Sequence, residues 1–465
     1  MKMPMPISRE QTWWGCCPVI LLALLFAEIP VGAKEILPTA ARGPVAANWE
    51  EALARMRPLP QAKQVEPVDA RELKGKVMVG YQGWFAAAGD GSGMGWVHYG
   101  DGKFAPGNLT IEAWPEMREA GAEESYATAF RLKDGQTARV FSSYHPATVD
   151  RHFRWMKEHG IDGVFLQRFV AYLREPRLYD FRTAVTDNVR ISARRHGRTW
   201  AMMYDLSGMQ PKDGDVERAM EDWKRLVDRM EITRDPGYQR SGGKPLVALW
   251  GAGFNDGRQY GVAEVARLVD FLQKDPVYGG NAVMLGVPFG WREGNRDAVS
   301  DPALQALCAR VEVVSPWSVG RYRNAEEFLR GMARGPQADL RWCAERKVAY
   351  LPVIFPGFSW QNLMRQRGNP PGEPIPRGNG DFFWTQGREL IGAGAQMLYV
   401  AMFDELDEGT AILQISNEPP ASGDHFVTNG SQPEDHYLWL TGQLGKALRE
   451  GKIPPRQQPV RKRGK

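Results

Sequence analysis

The sequence lacks the residue patterns that metal sites, phosphate loops and serine hydrolases need. It has seven histidines in 465 residues, and neighbouring histidines are at least seven positions apart, so no HExxH motif or helical zinc pair exists. It has no G-x-S-x-G elbow, and its glycine-rich stretch GDGSGMG (89–95) is not followed by the Lys-Ser/Thr of a phosphate loop. We therefore expect no cofactor and no metal. One alternative is a hard cation such as Ca²⁺ held by Asp404, Asp407 and Glu408, although their spacing does not match an EF-hand loop.

Long apolar runs are also scarce, and the one that stands out is PVILLALLFA (18–27) near the N-terminus. Lys2 and Arg9 precede it, and small residues ending at Ala33 follow it. This pattern predicts a signal peptide over residues 1–33, cleaved near Ala33, and hence a secreted or periplasmic protein. Because a bilayer span needs about 20 apolar residues, we expect no stable membrane insertion. The alternative is an uncleaved anchor.

Cysteine is rare, with four residues in the whole chain. Cleavage of the signal peptide leaves Cys308 and Cys343, and both precede apolar runs. We expect two buried thiols, with a disulfide between them as the alternative in an oxidising compartment.

Excess positive charge is confined to the C-terminal end. Residues 446–465 carry eight basic residues and one acid, together with three prolines. This composition predicts a basic disordered tail. No nucleic-acid recognition motif accompanies the tail, so nucleic acid is not an expected partner.

Eight short apolar stretches bounded by turn residues occupy the rest of the chain. Their nearly continuous apolar character is typical of parallel strands buried on both faces. Amphipathic stretches of helical length, such as 215–230 and 262–273, lie between them. The alternation predicts an α/β fold, a (β/α)8 TIM barrel, with a doubly wound open sheet as the structural rival. The apolar stretches are 77–85, 161–169, 199–208, 244–253, 281–291, 311–320, 347–360 and 395–405.

These stretches divide the chain into a barrel, an arm and an insertion. The barrel is predicted over residues 77–445, after an N-terminal arm or linker at 34–76. The connection after the first strand, 86–160, is far longer than the others. It contains a predicted hairpin over 126–143, which turns at Asp134-Gly135. We expect this insertion to build one wall of a cleft.

The stretch AMFDELDEGT (401–410) follows the last predicted strand and places four acids within five positions. Barrel active sites lie at the C-terminal ends of the strands, so these acids should point into the mouth of the barrel. Two carboxyls acting together are the usual apparatus for cleaving a glycosidic bond, and aromatic faces stack on sugar rings. For any single tryptophan, capping the core is the alternative. The candidate sugar-binding residues at the strand ends are Tyr81, Gln82, Trp84, Gln167, Arg168, Tyr204, Asp205, Trp250, Trp291, Trp317, Trp360 and Asp404.

A family resemblance rests on the same residues. ELDEGT (405–410) resembles the Glu-x-x-Glu-Gly-Thr signature of glycoside hydrolase family 99, the endo-α-mannosidase family. With GYQGWF (80–85), GIDGVFLQRF (160–169), PGFSW (356–360) and MFDELDEGTAI (402–412), the chain resembles bacterial glycoside hydrolase family 71/99-like proteins. The resemblance covers roughly residues 75–415.

The resemblance implies a (β/α)8 fold, no cofactor, and retention of anomeric configuration through the sugar's own 2-hydroxyl. It implies that Glu405 is the base toward that hydroxyl and that Glu408 is the acid/base. Family 99 usually has Asn before the first glutamate and bulky or His residues between the two. This chain has Asp404, Leu406 and Asp407 there.

The site pattern and the resemblance together predict a secreted glycoside hydrolase that acts on a polysaccharide or glycan. We expect retaining, endo-acting cleavage of an α-mannoside or α-glucan by Glu405 and Glu408. The alternative is a barrel that binds glycans without cleaving them, or that cleaves them weakly.

Overall fold

The computed structural model describes residues 42–60 and 66–461. The predicted signal peptide (1–33), the start of the predicted arm and the last four residues of the predicted tail lie outside these ranges.

All eight predicted apolar stretches contain strands of one sheet. The strands are buried on both faces, since every residue of β1, β5 and β8 is buried. In chain order the strands of the structure are β1 (Val77–Tyr81), β2 (Tyr126–Arg131), β3 (Thr137–Val140), β4 (Gly163–Phe169), β5 (Thr199–Asp205), β6 (Arg240–Ser241), β7 (Lys244–Trp250), β8 (Ala282–Pro288), β9 (Val313–Trp317), β10 (Ala349–Tyr350), β11 (Val353–Ile354) and β12 (Leu398–Val400).

The parallel strands close into a barrel. β1 pairs with β4 on one side and with β12 on the other, and the order continues through β5, β7, β8 and β9. The seventh barrel strand is broken into two pieces: β10 pairs with β9, and β11 pairs with β12. Pro352 lies in the break and has no N–H for the ladder, but its carbonyl accepts from Tyr399 N at 3.0 Å. The predicted (β/α)8 barrel is confirmed.

In the described chain, one helix precedes β1, and the other helices lie between or after the barrel strands. The helices are α1 (Trp49–Ala54), α2 (Pro146–Glu158), α3 (Pro176–His196), α4 (Asp215–Met230), α5 (Val262–Lys274), α6 (Pro302–Cys308), α7 (Ala325–Gly331), α8 (Pro336–Arg346), α9 (Gln361–Gln366), α10 (Asp381–Gly392) and α11 (His436–Glu450). Several begin with proline in the first turn, where its missing N–H costs nothing. None of the helices within residues 42–60 and 66–461 is long and apolar enough to cross a membrane.

The long connection after β1 contains the hairpin expected from the sequence. β2 and β3 pair antiparallel, and Gly135 takes φ 84° between them. An aromatic cluster packs the insertion together, in which Phe104 stacks on Trp114 with ring centroids 5.6 Å apart. The insertion reaches the last barrel strand's loop, because Glu112 N donates to Leu406 O at 2.7 Å.

The two flanking segments pack on the barrel helices. In the arm, Ala46 N donates to Asp180 Oδ2 on α3 at 2.8 Å. At the other end, the predicted disordered tail starts too early, since residues 446–450 form the last turn of α11. The reason is that Ala447 and Leu448 continue the apolar face of this helix against the core. Cys308 and Cys343 are both buried and free.

Candidate active site

The acids singled out in the sequence lie at the C-terminal end of the barrel, in a segment that we call the acid turn (residues 401–410). It follows β12 directly. Its residues Leu406–Glu408 form one turn of 3-10 helix, which ends at Gly409 with φ 64°. Phe403 N donates to Gly80 O at 2.7 Å, so the acid turn is tied to the first barrel strand.

Glu405 is held by two side-chain donors. Its carboxyl is buried, with Gln82 Nε2 donating to Oε1 at 2.6 Å and Thr410 Oγ1 donating to Oε2 at 2.7 Å. Burial raises the pKa of Glu405 well above its usual range, and the charges of Glu408 and Asp407 raise it further. The hydrogen bonds from Gln82 and Thr410 oppose this rise, because they favour the ionised carboxylate.

Glu408 is the more accessible member of the pair and is partly exposed. Burial and the charge of Asp407 raise the pKa of Glu408 to about 8. A carboxyl with such a pKa holds a proton at neutral pH and can give it to a leaving group. Because the two glutamates interact, ionisation of one makes ionisation of the other less favourable. The doubly ionised pair is therefore disfavoured at neutral pH.

Asp404 joins the acid turn to the end of β1. Its oxygens accept from the backbone N–H groups of Gln82 at 2.7 Å and Gly83 at 2.8 Å. Burial raises the pKa of Asp404 to about 7, against the opposing effect of these two donors and of Arg182. Asp404 is fully buried, and its two oxygens bind the backbone at the end of β1, so the structure gives this predicted substrate-binding residue a structural contact.

Asp407 pairs with a histidine from the insertion that sequence reasoning did not single out. His98 Nδ1 lies 3.1 Å from Asp407 Oδ2, and His98 Nε2 lies 3.3 Å from the Tyr172 hydroxyl. The imidazole stacks on Trp84 with centroids 3.9 Å apart and planes 5° apart. Trp84 also packs on Phe169, so it contacts the acid turn through His98 rather than as an open sugar platform.

Two more predicted residues border the acid turn, and a third faces the inside of the barrel. Asp205 is close enough for its charge to raise the pKa of Glu408. Trp360 follows Ser359, whose N–H donates to Glu408 O at 2.9 Å. In β4, Arg168 faces outward and binds Asp222 on α4. Because side chains alternate along a strand, the preceding residue Gln167 faces the inside of the barrel.

Trp250 and Trp317 form an aromatic corner on the far side of the mouth. Their rings meet edge to face with centroids 5.2 Å apart, and Trp317 lies 6.4 Å from the ring of Tyr399 on β12. Both tryptophans are partly exposed. Arg258 lies over the Trp250 ring at 5.2 Å and fixes it from the loop after β7.

Four buried polar atoms around the mouth have no hydrogen-bond partner within the described chain. Buried polar groups are nearly always paired, so a set of unpaired ones at one place indicates a polar ligand or ordered water. The set contains acceptors and donors, and a sugar hydroxyl can satisfy either kind. The atoms are Gln82 Oε1, Gln167 Oε1, Asp407 Oδ1 and Trp250 Nε1.

Three predicted sugar-binding residues point away from the mouth. The Tyr81 hydroxyl lies 2.9 Å from His152 Nδ1 on α2. Arg168 and Tyr204 both bind Asp222 on α4, through Arg168 Nε and the Tyr204 hydroxyl, each 2.7 Å from Asp222 Oδ2. The three side chains are directed toward the helices because side chains alternate along a strand and these residues take the outer face.

Trp291, another predicted sugar-binding residue, also lies away from the mouth. It is fully buried and packs edge to face against Trp342 on α8, with ring centroids 4.7 Å apart. It belongs to the core between the barrel and its helices.

Arg182 on α3 is a further residue that the sequence did not reveal. Its guanidinium is buried and donates to Gly83 O at 2.8 Å and to Gln167 O. Burial lowers the pKa of Arg182 to about 10. The residue fixes the ends of β1 and β4, from which Gln82 and Gln167 project.

The acid turn is a poor cation site in the described structure. Among residues 42–60 and 66–461, no group of three or more His, Cys, Asp or Glu side chains is arranged to hold a metal ion. The Ca²⁺ alternative needed Asp404, whose oxygens are taken by backbone amides.

Comparison with solved structures finds the same architecture in a family 99 endo-α-mannosidase from Bacteroides thetaiotaomicron. Its complex with bis-tris propane matches with a TM-score of 0.56 and 14% identity, over 82% of this chain and 98% of that protein. A second structure gives a TM-score of 0.53 and 15% identity, over 82% and 99%. No protein-family model and no curated protein sequence matches the chain. The likeness shows that this chain shares the family 99 barrel fold.

Proposed function

We propose that this protein is a glycoside hydrolase whose working pair is Glu405 and Glu408. The observation that carries the proposal is the acid turn. It holds two glutamates at the C-terminal end of the last barrel strand, with the Glu405 carboxyl bound by Gln82 and Thr410 and the Glu408 backbone bound by Ser359. Two interacting carboxyls at this end of a barrel suit the cleavage of a glycosidic bond.

The surroundings of each glutamate fit separate roles. Glu408, partly exposed and with a raised pKa, suits the acid that protonates the leaving oxygen and then activates water. Glu405 accepts two hydrogen bonds from Gln82 and Thr410, which favour its ionised form against the burial that raises its pKa. It suits the base that draws the proton from the 2-hydroxyl of the sugar, which then attacks the anomeric carbon.

The substrate class is proposed from two kinds of support. The unpaired polar atoms and the aromatic corner at the mouth fit a pyranose, with hydroxyls to satisfy and an apolar face to stack. The fold likeness to an endo-α-mannosidase favours retaining, endo-acting cleavage of an α-mannoside or α-glucan. The predicted signal peptide favours a secreted or periplasmic location.

The test compares the parent protein with its Glu408→Gln variant on α-mannans, α-glucans and arabino- or xylo-oligosaccharides, with released sugars followed by chromatography. The matched control is Glu418→Gln, which changes an exposed glutamate near the acid turn. We expect release by the parent and the control, and none by Glu408→Gln, with glycan affinity preserved. NMR of the first-formed product reports whether the anomeric configuration is retained.

The alternative function, a glycan-binding barrel, makes the opposite prediction. In that case no glycan is cleaved by any of the three proteins, and all three bind glycan equally. This result would remove the acid/base assignment of Glu408.

A further inference from the structure

One buried carboxyl beside the acid turn has no part in the mechanism above. Glu112, in the insertion, is fully buried. Ser359 Oγ donates to its Oε2 at 2.6 Å, and Asn362 N donates to its Oε1 at 2.5 Å. Its own backbone N–H donates to Leu406 O in the acid turn at 2.7 Å. Glu112 therefore contacts two loops of the mouth at once.

The segment that Glu112 holds is the one that carries Trp360. We call residues 358–363 the Trp360 segment. It lies directly against the acid turn, because Ser359 N donates to Glu408 O at 2.9 Å. The packing leaves little room: a Cβ placed on Gly409 would lie 3.3 Å from Ser359 N and 3.5 Å from Glu112 Cβ. A shift of the Trp360 segment would thus move the backbone of Glu408.

The chemistry of the Glu112 site favours positioning over stability. A buried carboxyl is costly unless paired, and in the described chain this one is met by a hydroxyl and backbone amides. Burial raises the pKa of Glu112 to about 7. An apolar side chain would be easier to bury, but it would leave the Ser359 hydroxyl and the amides of the Trp360 segment without an acceptor.

We propose that Glu112 is a positioning residue that fixes the Trp360 segment against the acid turn, and so sets the place of both Trp360 and Glu408. The inference rests on the proposed function and extends it to the insertion. Its mechanism is geometric, because Glu112 acts through Ser359 and Leu406. Misplacement of a reacting group by about 1 Å costs on the order of 100-fold in rate.

The variants are Glu112→Ala, Glu112→Gln and a control, Glu124→Ala. The glutamine keeps the shape: its Oε1 can accept from Asn362 N, and its Nε2 can donate to the Ser359 hydroxyl. Glu124 is a buried glutamate of the same insertion, and its partner is Arg151 on α2, 2.8 Å away. Glu124→Ala therefore removes a buried carboxyl without touching the mouth.

We expect kcat/KM of Glu112→Ala to fall by about tenfold or more, with KM raised and kcat lowered together. Glu112→Gln should stay within about threefold of the parent, and Glu124→Ala should keep the parental KM. A merely structural role would lower the active fraction and leave KM unchanged. Parental KM in Glu112→Ala, or an equal loss in Glu112→Gln, would overturn the proposal.

Hydrogen exchange of the Trp360 segment provides a readout that needs no substrate. Exchange at Asn362 and Leu363 should quicken in Glu112→Ala and not in Glu124→Ala. If the parent cleaves no glycan, the proposed function fails, and this exchange difference alone decides whether Glu112 holds the segment. If Glu112→Ala does not fold, Ser359→Ala takes its place: faster exchange with a raised KM supports the proposal, and parental values for both overturn it.

Discussion

Replacement of Thr410 by valine isolates one hydrogen bond to the proposed base. The hydroxyl of Thr410 donates to Glu405 Oε2 at 2.7 Å, and the residue is fully buried, so valine fills the same space without the donor. A hydrogen bond to a charged group contributes about 1.5–3 kcal/mol. At about 1.4 kcal/mol per pKa unit, its loss should raise the pKa of the glutamate pair by about one to two units.

The assay is the pH dependence of kcat/KM on a glycan that the parent protein cleaves in the panel test proposed above. The proposed base must be ionised to act, so activity rises with pH through its pKa, and a higher pKa moves this acid limb upward. The control is Thr441→Val, since Thr441 is equally buried and donates to Tyr437 O at 2.7 Å within α11. An acid limb in Thr410→Val that coincides with that of Thr441→Val would refute the assignment of Glu405 as the base.

Two further predictions concern stability and the direction of side chains. The pKa of Glu408 is raised from 4.5 to about 8 in the fold, so the free energy of unfolding should fall as pH rises between these values. Urea denaturation from pH 5 to 8.5 should show this fall in the parent. In Glu408→Gln the total fall over the same range should be smaller by about 1–2 kcal/mol, after allowance for partial exposure. An equal fall in both proteins would contradict the raised pKa. Trp291→Ala should lose about 3–5 kcal/mol of stability with KM unchanged, whereas Trp250→Ala should raise KM. Denaturation and steady-state kinetics on both variants check this, and a raised KM in Trp291→Ala would count against its core position.

The sequence predicts the barrel well because the evidence for it is local. Each buried parallel strand leaves a short apolar run between turn residues, and the acid turn follows the last run directly. At the strand ends, the sequence does not show which side chains face the inside of the barrel. Neighbouring residues there face opposite sides of the sheet, as in the pairs Tyr81–Gln82 and Tyr204–Asp205. A strand that is apolar on both faces carries no alternation that could say which neighbour faces inward.

The residues that the sequence missed come from distant parts of the chain. His98 is 309 positions from Asp407, and Glu112 is 247 positions from Ser359. Both lie in irregular parts of the insertion, where no periodicity marks a functional side chain. Their partners are set by how the insertion folds over the acid turn, which no local pattern of residues encodes.

The contacts between the end of β1 and the acid turn make the proposed active site depend on closure of the barrel. These contacts join positions more than 320 residues apart: Asp404 binds Gln82 and Gly83, and Glu405 binds Gln82. Without β12 docked on β1, the contact that holds the proposed base Glu405 against Gln82 is absent. The proposed base therefore reaches its position only when the ring closes, and not as individual strands and helices form.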